Sequence, residues 1–435
     1  MTHHDAVVVG AGLAGLAAAR ELAIHGVDVH VFEAADAAGG RVRSDIVDGF
    51  TLDRGFQLYN PAYPEAARVL DHQALNLHPL IRGMDIVRST STGRAVLRLA
   101  DPRSPGNWHT SALSRAAGTL TGKARFAAYA RVAAKLSGHQ FDERADEPAQ
   151  VALARAGIDA TMIDHVIRPF LTGVFLEPHL MTSRRFMDVV LASFVKGAPS
   201  LPQPGMQAIP DQLHDALPDG TVHCESPVRR LTPASVETDS GTITASVVIV
   251  ATDATHASAL LEDAGLTTEL NTATNSVTTW YHAVATTALP EPLARGRSVI
   301  TVPDKRSGPV INTVPLTYAV PSYSPDGQIL VSSSSLGVDD SAEVEQAVRG
   351  HLQFLYGADT SGWELVARYP IHGALPSMRG PLTVADSGEH GPVILAGDHC
   401  TTASIQGAMI SGRHAADAAF RRLGIVRPDD RRIAV

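Results

Sequence analysis

DAVVVGAGLAGLAAARELAIHGVDVHVFE, residues Asp5 to Glu33, decides the fold. Ala6 to Val9 is a run of β-formers that breaks at Gly10-Ala11-Gly12-Leu13-Ala14-Gly15. The chain then becomes an Ala/Leu-rich helix to about His25, turns at Gly26 and returns as a strand, Asp28 to Phe32, ending on Glu33. A strand feeding a glycine-rich turn and then a helix opens a dinucleotide-binding βαβ unit. Gly10 makes the tight turn, Gly12 lets the backbone approach a pyrophosphate, and Gly15 lets helix and strand pack closely. Amides around Gly12 to Ala14 carry the positive end of the helix dipole and hold phosphate oxygens. Glu33 lies 23 positions after Gly10, where a carboxylate takes ribose hydroxyls.

Composition narrows the class. At 435 residues the chain exceeds one simple core, so two domains are expected. Hydrophobic residues at 44% against 19% charged exclude a disordered chain. A net charge of -9 argues against a nucleic-acid partner. Cys224 and Cys400 stand far apart without metal-ligand spacing, so no metal is expected, and a reducing, cytoplasmic compartment fits. No Lys or Arg precedes Arg20, unlike a secretory leader, and no apolar run is long enough to span a bilayer. Peripheral membrane contact stays open.

Further along, Gly39-Gly40-Arg41 follows the second strand. Arg41 is placed to neutralise phosphate with a forked contact, the alternative being a solvated surface arginine. Phe50 to Leu58 reads as a short strand and a glycine that allows close approach. Pro61 and Pro64 break the chain, and Gly83 to Arg88 is β-rich. Ser111 to Val195 reads as a helical subdomain, with Ala-rich runs at Ser111 to Lys135 and Pro148 to Ala156, and its acidic patch Asp142 to Glu147 reads as a solvated face. Phe170, Phe175, Phe186 and Phe194 read as core, with an apolar pocket as the other reading. A helix is expected at Asp211 to Leu217 and a hairpin turn at Asp239-Ser240-Gly241. Ser246 to Thr252 is a buried-type strand that returns to the first sheet. An antiparallel sheet is expected from Ser276 to Ala288, Ser298 to Val302, Gln328 to Ser333 and Trp363 to Tyr369, with a helix over Ser341 to Tyr356 and an irregular Pro370 to Pro376. Near the C-terminus a buried strand ends at Gly397-Asp398, and a helix begins near Gln406 with small residues at Gly407, Ala408, Ser411 and Gly412. Those small residues let it approach another body closely.

Glu33 with the GGR that follows, and Phe50-x-x-Asp53-x-Gly55, resemble the flavin-dependent superfamily of monoamine oxidases, protoporphyrinogen oxidases and phytoene-type desaturases. The C-terminal Gly-Asp, Ser-Ile-Gln-Gly-Ala and Ser-Gly-Arg segments resemble the desaturase form most closely. The resemblance implies FAD as the dinucleotide. It places Gly40 and Arg41 along the pyrophosphate, and Gly55, Phe56 and Gln57 beside the isoalloxazine ring. Val228 would meet the adenine through its backbone, Asp398 the ribityl or pyrophosphate region, and the amides of Gln406, Gly407 and Ala408 the N1/O2 edge. Leu13, Ala14, Ala34, Gly397, Ser404 and Ile405 complete the implied cofactor contacts. The implied architecture is α/β: an FAD-binding Rossmann-like domain (1–80, 205–275 and 380–425) interleaved with a mixed-sheet substrate domain (81–204 and 276–379) that carries the helical subdomain at about 111–195.

Departures bear on the reaction. Amine oxidases in this superfamily carry an aromatic residue where this chain has Ser404, and a lysine on a substrate-domain strand where Val277 to Val284 has none. The resemblance therefore implies desaturase-like hydride transfer from a largely apolar small molecule, with oxygen or a quinone as acceptor. A flavin amine oxidase is the alternative reading, and a non-catalytic binding protein of the same fold, similar to Rab escort and GDP-dissociation proteins, is another. No catalytic residue is fixed; Tyr281, His282, His372 and His399 are the candidates near the ring.

Overall fold

The computed structural model describes residues 3–101, 114–136, 144–266, 270–289, 297–304, 307–382 and 391–426. The first strand, His3–Val9, pairs in parallel with Val29–Phe32 on one side and Gly241–Val250 on the other. Val222–His223 extends the sheet past Val29–Phe32, and Ile394–Leu395 joins at Ile249 and Val250. The hairpin of Val228–Thr232 and Ser235–Thr238 continues it antiparallel. Val247, Val248, Ile249 and Val250 are buried, as a central parallel strand covered on both faces requires.

Close packing at glycines seats the helices. Gly10 has φ +101°, and a Cβ on Gly15 would lie 1.9 Å from the Gly10 carbonyl oxygen. The first helix, Leu13–Ala23, therefore starts hard against the strand turn. The body approached by the small residues of the last helix, Ile405–Leu423, is this first helix: a Cβ on Gly412 would lie 2.2 Å from Ala14 O.

A second seven-stranded sheet runs in the order Glu364–Pro376, Thr274–Ala285, Gln328–Leu336, Val310–Pro315, Ile300–Pro303, Gly83–Thr90, Gly93–Ala100. Its pairs are antiparallel except Ile300–Pro303 with Gly83–Thr90. On one face Trp280 and Val331 pack with Val348, Leu352 and Leu355 of the helix Ala342–Tyr356. On the other, Tyr281, Leu330 and Val314 pack with the helices Ala149–Arg155, Arg168–Phe175 and Arg184–Lys196.

Two expectations are corrected and one strand is added. Pro370 to Pro376 is not irregular but the end of the edge strand, whose prolines are tolerated where no neighbour lies beyond. Val310–Pro315 is a strand that escaped the sequence reading. The acidic patch is not a solvated face where it is described: Asp146 accepts from Ser183 Oγ at 2.8 Å, and Glu147 pairs with Arg155 at 2.9 Å and Arg184 at 3.5 Å. Ser183 caps Arg184–Lys196, so these carboxylates pin a helix start. Asp142 lies outside the described residues.

Asp53, ending the strand Phe50–Asp53, is buried and accepts from Ser44 Oγ at 2.6 Å and from the Met206 N–H at 2.9 Å. Burial pushes its carboxyl up to about 6, against those hydrogen bonds. The folded protein thus holds a proton that the unfolded chain releases near pH 4. The contribution is fully present below that value and is lost as pH rises toward 6. A gap of about two pH units corresponds to about 3 kcal/mol. Asp53→Asn should remove this part of the slope; urea unfolding of both proteins at pH 4.5, 6 and 7.5 checks it, and parallel slopes would refute it.

Candidate active site

A cavity of about 1170 Å³ runs from the Gly10 turn to the face of the second sheet. One small ligand usually needs roughly 300–1,000 Å³, so there is room for a dinucleotide and a second molecule. Gly10, Gly12, Leu13 and Ala14 line its start, followed by Glu33 and Ala34 at the end of Val29–Phe32 and by Gly40 and Arg41. Gly55, Phe56, Gln57 and Val228 line it further along, with Gly397, Asp398, Ser404, Ile405 and Ala408 from the last segment. Gly15 does not, being packed against Gly10. Gln406 also points elsewhere, its side chain accepting from the Glu65 N–H at 3.0 Å.

The polar groups are held in place. Glu33 accepts from the N–H of Ala11 at 2.7 Å and of Ala35 at 2.9 Å, which fixes its carboxylate beside the turn. Arg41 donates to Asp398 at 2.6 Å and to Ala374 O at 3.1 Å, tying the first loop to the last segment. The Gln57 amide donates to Arg41 O at 2.7 Å, so this side chain supports the loop. Ser404 caps the last helix, its Oγ accepting from the Gly407 N–H and its carbonyl from the Ala408 N–H, each at 2.9 Å. Those two amides, expected to face a ring edge, are engaged within the helix end, although Ala408 still lines the cavity.

At Gly12 a Cβ would meet nothing within 4 Å, so the turn faces open space flanked by Arg41 and Glu33. An arginine, a helix start and a bare backbone fit a pyrophosphate; a fixed carboxylate fits a ribose.

Of the candidates near the reacting end, only His372 lines the cavity among the described residues. Tyr281 and His282 do not. Tyr281 is buried, donates to Asp53 O at 2.7 Å, and is held well above its ordinary pKa by burial. Its neighbour His282 points to the other face, shares a hydrogen bond with Glu345 at 3.1 Å, and is lowered by burial. His399 is buried outside the lining with both ring nitrogens unpartnered. Phe170, Phe186 and Phe194 line the cavity, whereas Phe175 is core. Missed in the sequence were Thr279, Asn312 and Ser334, which line the far wall. So was the approach of His4, Asp28 and His30, whose ligand atoms lie within 4.8 Å of one another at the other end of the first strand.

Residues 13–419 match the model of the flavin containing amine oxidoreductases. The chain belongs to this family. As a flavin-family oxidoreductase it uses FAD. Putrescine oxidase from Kocuria rosea is 27% identical over 285 residues, 57% of this chain and 56% of that protein. Hydroxysqualene dehydroxylase from Rhodopseudomonas palustris is 38% identical over 120 residues, 26% of this chain and 28% of that protein. The matches thus span about half of the first relative and about a quarter of the second. An oxidoreductase structure from Methanosarcina mazei superposes with a TM-score of 0.68 at 18% identity, covering 95% of this chain and all of that one. That likeness speaks for the fold alone. No described helix is long and apolar enough to cross a membrane.

Proposed function

We propose that this flavin-family oxidoreductase removes hydride from a C–H bond of a largely apolar small molecule, as desaturases do, and passes the electrons on to oxygen or a quinone. Gly10 to Ala14, Glu33, Arg41, Gly55 to Gln57, Val228 and Asp398 would hold FAD, which when bound supplies the two-electron acceptor. The observation that carries the reading is the wall beyond this seat: the lining drawn from residues 170–199 and 277–334 has no charged side chain among the described residues. An ammonium substrate would lose its hydration there without a carboxylate in return. Phe170, Phe186 and Phe194 exclude water and bury hydrocarbon. Arg41 and Asp398 orient the pyrophosphate end, so the protein's share of the rate is positioning.

The test is the visible spectrum of the purified protein under anaerobic conditions. A flavin band bleached by a polyprenoid substrate and not by putrescine is expected. Bleaching by the amine would overturn the apolar-substrate reading, and a protein that binds no flavin would favour the non-catalytic one.

A further inference from the structure

Three neighbouring strands of the second sheet set Thr279, Ser334 and Asn312 in one row: Ser334 is the register partner of both others. All three line the cavity, beside Val277, Ile300 and Val302. Thr279 Oγ1 accepts from the Phe56 N–H at 3.3 Å, so this end of the row is engaged by the Gly55 to Gln57 segment. Asn312 differs. It is 5% exposed, and its Oδ1 has no hydrogen-bond partner. The helix Arg168–Phe175 is bare where it meets this amide, since a Cβ on Gly173 would lie 2.6 Å from Asn312 Nδ2. A buried acceptor left unmade carries the whole desolvation cost of the group, which an apolar residue of similar size would avoid. An amide at this place in a hydrocarbon-lined wall therefore points to a ligand that answers it.

We propose that Asn312 docks the hydroxyl group of an otherwise apolar substrate, making the enzyme's substrate an apolar alcohol. A hydroxyl donates to Oδ1 and also accepts, so it satisfies the amide in either orientation. A pure hydrocarbon leaves the oxygen unpaired, and an ether or ketone offers it no donor. An ammonium donates but brings a charge to a wall without a carboxylate. Cross-strand placement gives the row a direction: it begins at the segment holding Phe56 and ends at Asn312, so the hydroxyl would fix how far the chain enters. The inference rests on the apolar-substrate reading above and adds the polar handle.

The experiment titrates farnesol, and separately the hydrocarbon farnesene, into the anaerobic holoenzyme and reads the perturbation of the flavin band as a Kd. Farnesol should bind at least about tenfold tighter to the wild type. In Asn312→Leu that preference should vanish, farnesene binding as well as or better than before with the flavin retained. Equal wild-type affinities would overturn the docking role, independently of whether any variant folds; so would an Asn312→Leu enzyme that still prefers the alcohol. If putrescine perturbs the flavin and neither lipid does, the apolar-substrate reading fails, and the docking with it.

Discussion

Gly12→Val is expected to purify folded but with little flavin, whereas Gly15→Val is expected not to fold. The two glycines stand three positions apart in one motif and differ in what lies in front of them. Gly12 has φ -70°, which any residue adopts, and a Cβ there meets no atom within 4 Å. A valine therefore costs the fold little and projects into the space that a pyrophosphate would occupy. Overpacking of about 1–3 kcal/mol against the ligand lowers affinity roughly 10- to 100-fold. At Gly15 the same atom would sit 1.9 Å from Gly10 O and 3.3 Å from Ala251 Cβ. Backbone on one side and the buried Ala251 on the other cannot yield, so the cost exceeds ordinary overpacking and reaches the scale of total stability, about 5–15 kcal/mol. Circular dichroism melts and the ratio of flavin to protein absorbance read both effects. A Gly12→Val protein with full flavin content would show that this turn is not the phosphate seat.

Arg41→Ala should be the other large effect. Its partner Asp398 keeps 6% of its side-chain exposure, against 36% for Arg41. Removing the cation leaves a carboxylate with little access to water, and breaking such a pair costs about 3–5 kcal/mol. Water reaching Arg41 through the cavity places the expected loss near the lower figure. Asp398→Asn should cost less, because the guanidinium left behind is the better hydrated partner and still reaches Ala374 O. The double variant should recover part of the loss, giving a coupling of about 1–3 kcal/mol. Urea midpoints of the flavin-free proteins check this, and strictly additive losses would mean that the pair is not coupled.

The first βαβ unit was legible because its signals are local. Glycine spacing, a β-branched run and an acid at a fixed distance need no knowledge of the rest of the chain. The last helix was legible for the same reason, and its partner could be anticipated as a close neighbour but not named, since Gly412 meets Ala14 across almost the whole sequence. Tyr281 and His282 show where local reading stops. Alternation puts them on opposite faces: Tyr281 shares the face of Val277 and Thr279 but lies further along the strand against Asp53, out of the lining, and His282 is on the face turned away. Which face meets the cavity depends on the register with Gln328–Leu336, a long-range property. Asn312 was lost with its strand, although Val-Ile-Asn-Thr-Val after Gly308-Pro309 has a strand's composition. Its unpaired oxygen arises from neighbours brought in by folding, and the same holds for the raised carboxyl of Asp53.

The interleaving of the two sheets also governs how the protein can be made. The strand Gly241–Val250 that flanks His3–Val9, the short strand Ile394–Leu395, and Asp398 opposite Arg41 all leave the ribosome long after the Gly10 turn. A nascent chain holds the Gly10 wall of the proposed dinucleotide seat well before the other wall, which waits for Ile394–Leu395 and Asp398. With the seat as proposed, flavin capture follows the synthesis of Asp398, and termination anywhere before it yields a polypeptide without the carboxylate that holds Arg41.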